Sequence, residues 1–232
     1  MIELVYSPMW FYGKDIIIDI VSIFVLILIA FFSLKYYRYN KKNKNYLILS
    51  SSFFIIALSF LFKILTNFSL YYNVLETKNM GFVTFTYQTI RSTDTLFFIG
   101  FFLYRLLTLF GLFILFNIYE KKKGINTILL ISYLLMISTY FSQSAYYIFH
   151  ITSLLLLAII TIQYYKNSGS IRSFTPKLLA VSFAVIALSQ ILFIFIRIDL
   201  IYYVIAEIVQ LVGYILLLIT FMVLKYGKKK QK

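Results

Sequence analysis

Seven stretches of this chain, roughly 15–35, 46–71, 95–118, 126–142, 145–165, 177–198 and 200–224, are apolar and almost free of charge. About 20 apolar residues in a helix cross the hydrocarbon core of a bilayer. Only helices and closed barrels satisfy every backbone group there. The sequence therefore predicts an all-α integral membrane protein, a single transmembrane domain over 1–232 with seven transmembrane helices. Composition agrees, since 62% hydrophobic and 20% aromatic residues exceed what a soluble domain of this length carries. With no Cys, disulfides, thiolate metal sites and a cysteine nucleophile are excluded. The start, MIELVYSPMWFYGKD, lacks a basic n-region and a cleavage site, so the first span is expected to be retained.

The net charge is +14. A basic excess suits nucleic acid only when it forms a patch on a soluble face. Here the cations fill short breaks between apolar runs, so no nucleic acid is expected. Lys35, Arg38, Lys41, Lys42 and Lys44 fall in the first break, Lys121, Lys122 and Lys123 in the third, and Lys166, Arg172 and Lys177 in the fifth. Lys225, Lys228, Lys229, Lys230 and Lys232 form a basic tail, 225–232. These all lie on one side, which the positive-inside rule makes cytoplasmic. The expectation is a multi-pass cell-membrane protein with its N-terminus outside and C-terminus inside. Tyrosine doublets at 36–37, 71–72, 146–147, 164–165 and 202–203 sit near span ends, as an interfacial belt would.

The stretch LILIAFFSLKYYRYN at 26–40 returns as LLLLAIITIQYYKNS at 154–168, and SFFIIALS at 52–59 as SFAVIALS at 182–189. LFGLFILF at 109–116 meets LVGYILLL at 211–218, with Gly111 on Gly213. Three spans thus recur in order, predicting a parallel 3+1+3 repeat: 15–118, a linker helix at 126–142, then 145–224. The first triplet carries an insertion, about 73–94, expected outside. In it LETKNMG reads as a turn, and Val83, Phe85 and Tyr87 alternate with Thr84, Thr86 and Gln88, which suggests a short extracellular β-hairpin; an irregular lid is the alternative.

This layout resembles microbial-type opsins, and also PQ-loop and SWEET-type transporters. EIVQLVGY at 207–214 is similar to the opsin segment in which an acid precedes the retinal lysine by four residues. Glu207 matches the acid, but the lysine position is Leu211, so the resemblance implies no retinal, and no cofactor or metal is expected. Neither the first nor the fifth span has the Pro-Gln pair of the transporters. YLILSSSFFIIALSFLFKILTN also resembles small seven-helix archaeal proteins.

Arg105 lies about ten residues, or about 15 Å, into its span, and Glu207 occupies the matching place in the last. Each has a polar partner at i+3, Thr108 and Gln210. An unpaired charge at that depth costs about 2.5–3.5 kcal/mol, so a pair is expected, serving either as a polar site or as a clamp. Gln190, Tyr214 and Asp19 are candidates to line an outward pocket. Lys63 is expected to snorkel towards the headgroups, His150 to be interfacial, and Arg197 and Asp199 to flank a tight outer turn. One His and no acid or metal cluster argue against an enzyme. The expectation is a ligand-responsive receptor or sensor, opsin-like in layout, that binds a small molecule near Arg105 and Glu207 and passes the signal to a membrane or cytoplasmic partner protein. A small-solute transporter or a structural, assembly subunit is the alternative.

Overall fold

The computed structural model describes residues 7–39, 41, 43–71, 76–80, 83–87, 90–118, 125–170 and 174–227. Among these residues there are seven α-helices: α1 (Lys14–Tyr39), α2 (Asn45–Tyr71), α3 (Ile90–Asn117), α4 (Ile125–Phe141), α5 (Tyr147–Ser170), α6 (Phe174–Ile194) and α7 (Ile201–Gly227). Six are long and apolar enough to cross a membrane; the apolar part of α4, Ile128–Phe141, is shorter. Their outward faces carry Phe24, Phe31, Phe54, Leu65, Leu155 and Ile208, an apolar exterior suited to a multi-pass membrane protein. Of the basic breaks, Lys42, Lys121, Lys122, Lys123, Arg172 and tail residues 228–232 lie outside the described residues.

Helix hydroxyls are satisfied locally. Ser22 donates to Ile18 O, Ser52 to Ile48 O, Thr66 to Phe62 O and Ser182 to Leu178 O, at 2.7–2.9 Å. This back-bonding lets polar residues sit in apolar helices without an orphaned donor.

The helices pack as a closed ring. α2 lies between α1 and α3, α6 between α5 and α7, α7 closes against α1, and α3 touches α5. α4 packs lightly on α3 and α5. Two glycines set the closest approaches. A Cβ on Gly111 would lie 3.2 Å from Ser52 O and collide with Ile56; one on Gly213 would lie 3.2 Å from Ile186 N and collide with its side chain.

Between α2 and α3 the chain forms an antiparallel hairpin, β1 (Glu76–Met80) with β2 (Val83–Tyr87), in the register Glu76↔Tyr87 to Met80↔Val83. The alternating VTFTY segment is the strand expected. ETKNM is not a turn but the partner strand, paired despite its polar residues; the link 81–82 lies outside the described residues. α3 begins at Ile90, earlier than the expected 95, because a helix can run on past the apolar part of its sequence.

Ile56 and Ile186 cannot move without repacking the core, where overpacking costs about 1–3 kcal/mol. Gly111→Ala and Gly213→Ala are each expected to lower the melting temperature in detergent. Gly13→Ala is expected to do so through backbone strain instead, since Gly13 has φ +80 with open space around it.

Candidate functional site

The polar centre is a buried ion triad. Lys63 on α2 reaches Asp19 Oδ1 on α1 at 2.7 Å and Glu207 Oε1 on α7 at 2.6 Å. Lys63 is 8% exposed, Asp19 0% and Glu207 1%, so all three charges are out of solvent. Lys63 therefore does not snorkel: two carboxylates hold its ammonium inward, and the rings of Phe60 and Tyr104 lie 5.3 and 6.0 Å from it. Asp15, one turn before Asp19, is also buried and receives Asn67 Nδ2 at 3.4 Å. The triad joins the consecutive helices α1 and α2 to α7, which is distant in sequence, and completes the closure of α7 on α1.

Arg105 is not the partner of Glu207. Its guanidinium lies 3.6 Å from the centroid of Phe101 and 5.5 Å from that of Phe149, and it donates to the carbonyl of Ser142 just beyond α4. Carbonyls at a helix C-terminus lack intrahelical donors and carry partial negative charge. Arg105 thus pins the short α4 to α3. The sequence expectation failed on helical face: Arg105 turns towards Ser142, just beyond α4, and Phe149 on α5.

The other candidates converge. Thr108, Gln190, Gln210 and Tyr214 line one central cavity with Tyr104 and Ser153. Thr108 Oγ1, with one hydrogen to give, lies 2.8 Å from Tyr104 O and 2.9 Å from Ser59 Oγ, and Gln210 Nε2 donates to Tyr214 Oη at 3.2 Å. Gln190 Oε1 lies 2.9 Å from His150 Nδ1. His150 is buried, not interfacial, and its ring stacks on Phe193 at 4.8 Å. Asp199 Oδ1 accepts from Ile201 N at 2.8 Å and so caps α7, while Arg197 lies over Tyr146. Among the described residues, no group of three His, Cys, Asp or Glu could hold a metal.

Beyond the triad, Phe11, Phe193, Ile196, Tyr203, Val204 and Ala206 form an apolar cap. Phe11 belongs to a short 3-10 turn, Met9–Phe11, and contacts Tyr203 at a ring distance of 6.4 Å. Gly13 links this turn to α1. On the other side of the polar centre, Phe53, Leu115, Leu157, Phe183, Leu217 and Phe221 fill the bundle.

Sequence reasoning missed the pairing of Lys63 with Asp19 and Glu207. The signal was present on α1, where Asp15, Asp19, Ser22 and Ser33 share the buried face at helical spacing. No family model matches the chain, and comparison with curated proteins and with solved structures gave no match.

Removing one member of a buried pair costs about 3–5 kcal/mol, because the remaining charge is left uncompensated. Lys63→Met is therefore expected to lower the melting temperature more than any Arg105 variant. Combining it with Asp19→Asn and Glu207→Gln is expected to restore most of the loss. Arg105→Leu, which removes the contact with Ser142 O, and Glu207→Leu, which removes the contact with Lys63, are expected to be additive to within about 0.5 kcal/mol in thermal unfolding.

Proposed function

We propose that this chain is a receptor- or sensor-type membrane protein, N-terminus outside and C-terminus inside, whose buried triad is the element that a small polar ligand shifts. The observation that carries the reading is the one-sided distribution of polar groups. Asp15, Asp19, Lys63, Arg105, His150 and Glu207 are all buried in the half of the bundle that faces the hairpin. The other half is an apolar core without buried charge among the described residues, its few hydroxyls such as Ser50, Ser52, Ser182 and Thr220 bonded to backbone carbonyls. A small shift is enough for a sensor, whereas conduction requires a polar route to both faces.

A ligand that offers its own charge or hydrogen bonds to Asp19 or Glu207 would compete with Lys63 and loosen α7 from α1. Access would come past the cap, where Phe11 covers Tyr203 and Gly13 permits the turn a left-handed backbone. Ligand binding then acts by differential affinity for the closed and loosened states. The basic loops and tail would meet the partner protein.

The transporter reading draws on the proposed 3+1+3 repeat, for which packing offers support. Gly111 abuts Ser52 and Ile56, and Gly213 abuts Ser182 and Ile186, in the same relative register. Ser59 donates to Ile56 O and Ser189 to Ile186 O, each at 2.7 Å. A duplicated scaffold of this kind suits alternating access.

Two experiments separate these readings. In the first, purified protein is given a panel of sugars, amino acids and small amines. One class is expected to raise the melting temperature and shift the emission of Trp10, the sole tryptophan, which lies next to Phe11. Glu207→Gln is expected to abolish both changes, and vesicles containing the protein should not accumulate that solute. Accumulation would favour the transporter. In the second, a cysteine at Asn43→Cys is expected to resist an impermeant thiol reagent in intact cells, and one at Asn79→Cys to react. The reverse pattern would invert the orientation.

A further inference from the structure

We propose that the central cavity is a hydration site, in which one water bridges Ser153 Oγ on α5 and Gln210 Oε1 on α7. The cavity measures about 20 Å³. A water needs roughly 10–15 Å³ on that measure, together with two to four polar partners. The space suits one water and nothing larger.

Its walls supply the partners. Ser153 is 1% exposed and Gln210 5% exposed, yet Ser153 Oγ and Gln210 Oε1 make no hydrogen bond within the protein. Buried polar atoms of this kind are costly to leave unsatisfied, because they lose their bonds to water and gain none in return. Neighbouring hydroxyls avoid that cost. Thr152, one residue before Ser153, bonds back to Ile148 O at 2.8 Å, and Thr108 across the cavity bonds back to Tyr104 O. Ser153 does not. Gln210 gives its amide hydrogen to Tyr214 Oη, so its carbonyl oxygen is left as an acceptor without a donor. A water between them can donate to Gln210 Oε1 and complete the Ser153 hydroxyl, and Tyr214, which only accepts among the bonds it forms, is left with a hydrogen to give.

The bridge has a consequence for the bundle. Gln190, on the same wall, holds His150, and Tyr104, on the opposite wall, faces Lys63. The water therefore shares a cavity with Tyr104, which lies beside the ion triad, and with Gln190, which holds His150. The site stands whether or not the protein answers to a ligand.

The test uses the full-length protein in lipid nanodiscs or detergent. A structure at a resolution that shows ordered solvent is expected to place one peak within hydrogen-bond distance of both Ser153 Oγ and Gln210 Oε1. Ser153→Ala is expected to lower the melting temperature by about 2–4 °C, the shift that follows from about 1 kcal/mol in a chain of this size, and to remove the peak. An empty cavity would overturn the proposal. So would a Ser153→Ala variant as stable as the parent or more so, because deleting an unsatisfied hydroxyl from a dry cavity relieves a cost, whereas deleting a partner of a bound water creates one.

Discussion

The contact of Lys63 with two carboxylates, Asp19 and Glu207, is what the rest of the bundle is arranged around. Lipid offers no hydrophobic drive for one apolar helix to choose another, so membrane helices associate through close packing and polar contacts. In this chain the two mechanisms are divided between the two halves. Towards the basic loops, Gly111 and Gly213 let α3 and α7 approach α2 and α6 closely. Towards the hairpin, the ammonium of one helix is shared by two others. The packed half fixes neighbours that follow one another in sequence, and the ion triad fixes the one junction, α7 on α1, that joins the two ends of the chain.

Burying three charges is costly, and an ion pair at this depth is weak evidence of net stability. Its specificity is a stronger argument. Lys63 holds both carboxylates within 2.7 Å, and so ties the axial positions of α1 and α7 to α2. Arg105 performs a different task with a different group. Its flat guanidinium lies over Phe101 of its own helix and meets the carbonyl of Ser142 just beyond α4.

What the sequence made legible follows from period and length. Seven apolar runs gave seven helices to within a few residues, and the alternation of Val83, Phe85 and Tyr87 gave β2. The partner strand ETKNM was hidden because its residues have little strand preference of their own, and cross-strand pairing decided it. The polar residues Thr108, Gln190, Gln210 and Tyr214 were identified by type, and they do meet at one cavity. The ion partners were not, because depth along a helix can be counted from sequence while azimuth cannot when both faces are apolar. α1, with polar residues at Asp15, Asp19, Ser22 and Ser33, is the helix whose inward face could have been found, and it leads to the triad.

On the proposed duplication, the charged centre is where the two triplets have parted. The scaffold contacts recur, Ser59 with Ile56 and Ser189 with Ile186. At the positions that carry charge they do not. Lys63 corresponds to Phe193, which stacks on His150 in place of binding an acid, and Glu207 corresponds to Arg105, which caps α4. A clamp that served stability alone could have been kept in both halves, since the same helices pack in the same way. One triplet instead carries the cation and one of its acids, and the other supplies the second acid, so the triad forms only where α7 meets α1. A polar centre that depends on that single junction is sensitive to small movements of α7. On the sensor reading proposed above, that sensitivity is what lets a ligand at the triad move α7.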